Sequence, residues 1–257
     1  MQWEKINVCV QKWMKQARKI ILEGRTKGLC VEEKTSRCDL VTNVDKFIEK
    51  FYVDRIRETF PNSKILGEEG EADKDLDNFK GLLWIIDPID GTMNFVKQHD
   101  HFASMIAVCE NGIEKLGYIL DVTEDELYWG GPECGVFCND QKVEPPKNLP
   151  LEEGLFGVGG KMLLSNYRNV QSAAKKSLGV RIYGSSGIEF IHVLTGKNVS
   201  YLSHLRPWDY AAGKILAETL GLVVKTIDEE SLDMLSSSDV LVATKNAHQG
   251  IIKLMNS

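Results

Sequence analysis

Leu82-Leu83-Trp84-Ile85-Ile86-Asp87-Pro88-Ile89-Asp90-Gly91-Thr92 is the stretch on which the reading turns. Leu82–Ile86 is an unbroken apolar run, the pattern of a β-strand covered on both faces. The run ends at Asp87, and Pro88 keeps the residue before it extended. Asp90-Gly91 makes a sharp turn, because glycine is free to take positive φ. Thr92 then opens a helical turn whose free N–H groups could hold a phosphate. A hairpin turn of the Asp-Gly type is the plainer alternative. Two carboxylates three residues apart at the end of an apolar strand carry a desolvation cost unless something positive sits between them. The hexapeptide Asp87–Thr92 contains no Lys or Arg.

Upstream, residues 3–23 repeat apolar side chains at helical spacing (Trp3, Ile6, Val10, Trp13, Met14, Ala17, Ile20, Ile21) up to a stop at Gly24. Residues 25–41 are charged and irregular, a loop or loose hairpin. Thr42-Asn43-Val44-Asp45 has the spacing of a capping box, with Asp in place of the usual Glu. It predicts a helix burying Val44, Phe47, Ile48, Phe51, Tyr52 and Ile56 and ending at Phe60-Pro61. Lys64–Leu66 is a short strand running into Gly67-Glu68-Glu69-Gly70, the start of an acidic stretch through Asp77.

Downstream, strands are predicted at 102–109, 113–122, 126–129 and 135–137. Pro145, Pro146 and Pro150 form the densest proline cluster and mark a boundary between two lobes, 1–147 and 148–257. Beyond it come a strand at 155–158, helices at 163–178 and 188–194, a strand at 198–202 and a helix at 208–220. Strands at 222–226 and 240–243 and a helix at 248–255 complete the chain. The alternation gives an α/β or layered α+β class, with two lobes sharing one interface.

Composition narrows the function. The chain has 257 residues, 43% of them hydrophobic, enough for one large core or two apposed lobes. Its net charge of -6 argues against a nucleic-acid partner. No apolar run approaches the ~20 residues of a membrane span, and the first residues lack the basic-then-apolar order of a leader. The six cysteines (9, 30, 38, 109, 134, 138) are scattered, as for reduced thiols in a cytoplasm. Cys134 and Cys138 have no second pair or nearby His to complete a zinc site. Gly157-Val158-Gly159-Gly160 follows a strand, but Met162 stands where a dinucleotide fingerprint needs Gly. Gly196-Lys197 fails as a phosphate loop, because Ile191 and Asn198 replace the Gly and Ser/Thr it requires.

Two further acidic features stand out besides Asp87 and Asp90: Glu68, and Asp209 in Trp208-Asp209. Each has an ordinary reading, Glu68 as part of a solvated turn and Asp209 as a favourable first-turn carboxylate of a helix. Should the four converge, like charges at that density require cations. All-oxygen ligation then favours a hard ion such as Mg²⁺ over zinc. Mg²⁺ on shared carboxylates beside helix-end N–H groups describes a phosphate-transfer or phosphate-hydrolysis site.

Gly67-Glu68-Glu69, Trp84–Phe95, Asp39–Asp45 and Trp208-Asp209-Tyr210-Ala211-Ala212-Gly213 resemble the inositol monophosphatase family, and they stand in family order over about residues 4–250. That family belongs to the lithium-sensitive, Mg²⁺-dependent sugar-phosphatase superfamily. The resemblance implies an α/β/α/β/α sandwich with the site between the lobes. Glu68, Asp87 and the Ile89 carbonyl would bind a first metal, and Asp87, Asp90 and Asp209 a second, within a total of two or three Mg²⁺ ions. Glu68 would thereby share in the catalytic set. Gly91 and Thr92 would offer N–H groups to the phosphate. The Thr92 hydroxyl, paired with Asp45, would position and deprotonate the attacking water. Lys34 matches a loop lysine near a weaker third metal. Gly184 and Ser185 fall in a segment that matches the substrate pocket. His99 and His101 read as loop residues.

One departure bears on substrate. Relatives selective for inositol phosphate often carry a Glu six residues before the Trp, where this chain has Leu202. A leucine offers substrate hydroxyls no hydrogen bond, and that loss weakens discrimination. The function expected is therefore a Mg²⁺-dependent phosphomonoesterase of small polyol or sugar phosphates. Fructose 1,6-bisphosphate and the 2′-phosphate of NADP are alternative substrates, and a regulatory or binding protein retaining the fold is a competing class. A homodimer with no membrane or nucleic-acid partner completes the expectation.

Overall fold

The computed structural model describes residues 2–26, 28–36, 39–70, 73, 75–76 and 79–256. Cys38 and Asp77, named in the sequence reading, lie outside them. Helix α1 (Gln2–Thr26) leads into a hairpin, β1 (Val31–Ser36) and β2 (Asp39–Thr42), and then α2 (Asn43–Thr59). The capping box is present. The Thr42 hydroxyl accepts from the Val44 and Asp45 amides at 3.1 and 3.4 Å, and the Thr42 amide donates to the Asp45 carboxylate at 2.9 Å. Within the charge-rich segment before it, β1 and β2 pair antiparallel.

A seven-stranded sheet follows, ordered β3 (Lys64–Gly67), β4 (Leu82–Asp90), β5 (Ala103–Glu110), β6 (Ile113–Asp121), β7 (Glu126–Gly131), β8 (Gly135–Cys138), β9 (Gln141–Lys142). Within this sheet, among the described residues, only β3 and β4 pair in parallel. The six-residue helix α3 (Thr92–Lys97) is inserted between β4 and β5. Strand β4 is covered on both faces, Trp84 and Ile86 packing one way and Ile85 the other. It continues through Pro88 to Asp90, with a break in register against β5 between Asp87 and Asp90.

The second half holds β10 (Leu155–Val158), α4 (Gly160–Leu164), α5 (Val170–Lys176), β11 (Gly179–Arg181), α6 (Ser186–Leu194) and β12 (Ser200–Leu205). It ends with α7 (Pro207–Thr219), β13 (Val223–Thr226), β14 (Ser238–Ala243) and α8 (Lys245–Met255). Its five strands are ordered β11-β10-β12-β14-β13.

Five layers result. Helices α1 and α2 bury Ile6, Val10, Met14, Ile48 and Tyr52 against one face of the seven-stranded sheet. Helices α6 and α7 fill the space between the sheets, joining Ile85, Met105 and Ile119 to Tyr201, Val240 and Val242 through Phe190, Ile191, Tyr210 and Ile215. Helices α5 and α8 cover the outer face of the five-stranded sheet with Val170, Ala173, Ala247 and Ile251. This is the α/β/α/β/α sandwich. The two middle helices approach closely: a Cβ added at Gly213 would lie 2.3 Å from the Phe190 ring, so only glycine fits there without displacement.

Some expected elements differ. Phe47 is 57% exposed, because the buried stripe of α2 runs through Val44, Asp45, Ile48, Glu49, Tyr52, Val53 and Ile56 and leaves position 47 outside it. The single helix expected over 163–178 is broken at Asn166, Arg168 and Asn169, all with left-handed backbone. Asparagine tolerates that conformation by local hydrogen bonding, and the Asn166 side chain accepts from the Gln171 amide at 3.0 Å. The short strand β11 was not anticipated.

Candidate active site

The end of β4, the start of α3 and the N-termini of α2, α6 and α7 meet at one cleft. Asp87 and Asp90 leave the strand where its ladder to β5 breaks. Asp209 lies in the first turn of α7, where its Oδ2 accepts the Arg206 amide at 2.8 Å. One carboxylate oxygen from each of Asp87, Asp90 and Asp209 lies within 4.8 Å of the others. Among the described residues this is the only cluster of three or more metal-ligating side chains so placed.

Each acid is held differently. Asp90 is buried and saturated: it accepts from the Ser186 amide and hydroxyl at 3.1 and 2.8 Å, the Gly187 amide at 2.8 Å and the Ser185 hydroxyl. Those donors belong to the start of α6, whose dipole also favours a negative charge there. Asp87 is 1% exposed, and its Oδ1 has no hydrogen-bond partner among the described residues. A buried orphan acceptor beside two further carboxylates is the condition a divalent cation relieves. Burial, then the charges of Glu68, Asp90 and Asp209, push the Asp87 carboxyl well above the ordinary range. Burial and Asp90 push Asp209 up to about 8. An all-carboxylate donor set fits a hard cation such as Mg²⁺.

Glu68 stands beside this cluster rather than inside it. It is the strongest neighbouring charge on Asp87, but its Oε1 accepts from Lys34 Nζ at 2.9 Å. Lys34, on β1, also bonds Glu69 at 2.6 Å. Burial alone would lower the Lys34 ammonium, but the two carboxylates outweigh it and raise it. The four acids expected to meet are thus three in mutual contact range and a fourth adjacent, with a lysine as its counter-charge.

The Thr92–Asp45 pair is formed. Thr92 Oγ1 lies 3.0 Å from Asp45 Oδ1 and 3.1 Å from the Ile89 carbonyl. Asp45 is fully buried and also accepts from the Thr42 hydroxyl. Burial raises its carboxyl, and the Thr42 and Thr92 hydrogen bonds oppose that shift. Gly91 has φ 86°, and a Cβ there would meet Ser185 Cβ at 2.9 Å, so the turn needs glycine on both counts. Asn94 clamps the turn from α3, donating to the His101 and Tyr183 carbonyls at 2.8 and 2.6 Å. His99 and His101 are loop residues, and His101 stacks on Tyr183 with ring centroids 5.5 Å apart.

Beside the acids opens a cleft of about 380 Å³, lined by Gly184, Ser185, Met162, Tyr201, Ser203 and Leu205 among others. Leu202 does not face it. That residue is fully buried with Leu151, Phe156 and Leu241 on the outer side of the five-stranded sheet. Alternation along β12 turns Tyr201 and Ser203 toward the cleft instead. The expectation that Leu202 replaces a substrate-contacting acid is therefore corrected: Ser203 is the cleft-facing neighbour. Sequence reading also missed Ser186 and Gly187 as donors to Asp90, and the clamp Asn94. Their signal was weak, because small residues at a helix start look like any cap.

Comparison with known proteins gives the family. The model of the inositol monophosphatase family matches residues 2–257. An inositol-1-monophosphatase of Bacillus subtilis (strain 168) is 40% identical over 256 residues, covering 98% of this chain and 96% of that protein. A fructose-1,6-bisphosphatase/inositol-1-monophosphatase of Thermotoga maritima is 30% identical, covering 88% and 86%. Among solved structures, an IMPase/NADP phosphatase complexed with Mg²⁺ and phosphate superposes with a TM-score of 0.92 at 31% identity, covering 100% of this chain and 97% of that one.

Proposed function

The chain belongs to the inositol monophosphatase family and is a phosphatase, and on that premise we propose that it is a Mg²⁺-dependent phosphomonoesterase of small polyol phosphates, inositol monophosphate first. The observation that carries this reading is the meeting of Asp87, Asp90 and Asp209 within 4.8 Å, from segments far apart in the chain. In it, residues 1–147 supply Glu68 and the Asp87–Thr92 turn, and residues 148–257 supply Asp209 and the substrate cleft. Glu68, Asp87, the Ile89 carbonyl, Asp90 and Asp209 would hold two or three ions, and Lys34 would lie near a weaker third one. Bound Mg²⁺ lowers the pKa of water and screens the phosphate charge.

The chain's own groups do the rest. Thr92 donates its hydroxyl to Asp45, so its oxygen is free to accept the hydrogen bond of an attacking water. As that water gives its proton to Thr92 Oγ1, the original Thr92 proton passes to Asp45. The Gly91 and Thr92 amides at the start of α3 face the phosphate oxygens. The attacking oxygen forms the new P–O bond as the ester P–O bond breaks, yielding phosphate and an alcohol. Positioning and charge stabilisation carry such a reaction without a protein nucleophile. Gly184 and Ser185 line the cleft, where they would meet the alcohol part of the ester.

The five described cysteines are free thiols, which supports a reducing, cytoplasmic setting. No helix among the described residues is long and apolar enough to cross a membrane. Exposed Leu164, Leu178 and Ile182 in the second half support a homodimer that covers them, testable by light scattering.

The decisive experiment is phosphate release from inositol 1-phosphate, fructose 1,6-bisphosphate and NADP, each with Mg²⁺ and with excess EDTA. Asp209→Asn is the control, because its amide oxygen can still accept from Arg206. An amide at Asp90 would instead set its own donors against the Ser185, Ser186 and Gly187 donors. Mg²⁺-dependent release lost in Asp209→Asn is expected. Release that survives EDTA, or that Asp209→Asn retains in full, overturns the reading.

A further inference from the structure

Glu49 has no part in the site described so far, yet it is fully buried in α2, one helical turn beyond Asp45 and on the same face. Its Oε2 accepts the Glu69 amide at 2.7 Å. Its carboxylate also lies flat against the backbone at Gly67, where an added Cβ would fall 2.6 Å from Oε2 and 3.0 Å from Oε1. One buried carboxylate therefore touches the chain on both sides of Glu68. From the other direction Lys34 ties the Glu68 and Glu69 side chains together.

We propose that Glu49 is a positioning residue: it fixes the Gly67–Glu69 turn from beneath and so aims the Glu68 carboxylate at the cation cluster. The inference rests on the reading of Glu68 as a metal ligand given above. The physical ground is that β3 ends at Gly67, so the residues after it have no ladder to hold them. A charged acceptor on an amide is a strong, short hydrogen bond, and it replaces the missing ladder at the point where Glu68 departs. Helix α2 then serves both sides of the site, through Asp45 to Thr92 and through Glu49 to Glu68.

The test is Mg²⁺ binding measured by isothermal titration calorimetry on the intact chain, with thermal melts as a check on folding. Glu49→Asp keeps the charge but falls one methylene short of the Glu69 amide. It is expected to weaken Mg²⁺ binding by about 10–100-fold, the usual effect of losing an outer-sphere partner. Glu49→Gln, whose amide oxygen still reaches, is expected to restore most of that affinity. In a Glu68→Gln background, Glu49→Asp is expected to add no further loss. The proposal is overturned if Glu49→Asp folds and binds Mg²⁺ as the parent does, or if its loss persists undiminished in the Glu68→Gln background. It is overturned equally if Glu49→Gln is as weak as Glu49→Asp. Wild-type affinity in Glu68→Gln alone would instead remove the ligand reading on which the proposal stands.

Discussion

Gly213→Ala tests whether the packing of α7 on α6 sets the position of Asp209. A Cβ there would lie 2.3, 2.4 and 2.6 Å from three carbons of the Phe190 ring. Carbon atoms in contact sit roughly 3.5–4.0 Å apart, so the two helices must separate locally by about 1 Å. Phe190 is wholly buried and packed on Tyr201, with ring centroids 6.1 Å apart, so the ring has nowhere to retreat. Overpacking of this kind costs about 1–3 kcal/mol, and alanine recovers about 1 kcal/mol of helix propensity. A net destabilisation of about 0–2 kcal/mol remains after these terms. Activity should suffer more. Asp209 lies one turn before Gly213 on the same face, and a shift of about 1 Å at a reacting centre costs roughly 100-fold in rate, equivalent to about 2.7 kcal/mol. Urea midpoints and kcat at saturating Mg²⁺ measure the two effects separately. Adding Phe190→Leu should return activity by removing the ring edge. Wild-type kcat in Gly213→Ala, or no recovery in the double variant, would refute the reasoning.

Further expectations follow from the same geometry. Thr92→Ala should lower kcat by about 10²–10⁴-fold with little change in KM, and Thr92→Ser should retain most activity; equal kcat in Thr92→Ala would show that the hydroxyl takes no part. Burial and Asp90 hold the Asp209 carboxyl up to about 8, against roughly 3.9 in an unfolded chain. Its protonated form is thus favoured by folding, so that stabilisation is complete below about pH 4 and is lost as pH rises through about 8. EDTA-treated protein should therefore melt at lower temperature at pH 9 than at pH 6, Mg²⁺ should reverse the trend, and Asp209→Asn should flatten it; an equally steep slope in that variant would be the contrary result. Leu202→Ala should destabilise the chain by about 2–5 kcal/mol as a core deletion while leaving relative kcat/KM across substrates unchanged. Ser203→Leu should do the reverse, and matching substrate profiles for Ser203→Leu and the parent would show that the cleft is read elsewhere.

The features most legible in sequence were those with a periodic or steric signature. The apolar run 82–86 specified a strand buried on both faces, and Thr42 with Asp45 specified a cap that the structure forms bond for bond. The acids Asp87 and Asp90 were conspicuous because nothing in their segment neutralises them. Glu49 was invisible for the opposite reason: a hydrophobic-period reading discards a charged residue, and only the fold reveals the amide it accepts. The side that Leu202 presents was equally illegible. Counting from Trp208 gives a position, but the pleat of β12 decides which face that position serves, and a register of one residue reverses the answer. Asn166, Arg168 and Asn169 broke a helix that apolar spacing alone would have continued.

The interleaving of the layers has a consequence for biosynthesis. Asp87 and Asp90 emerge from the ribosome early, on a strand whose second covering layer includes α7, still to be translated. Their cage closes only when that helix docks between the two sheets and brings Asp209 with it. On the proposal that these three acids hold the ions, ion capture coincides with the assembly of the middle layer, and a nascent polypeptide halted short of α7 lacks the third of those carboxylates.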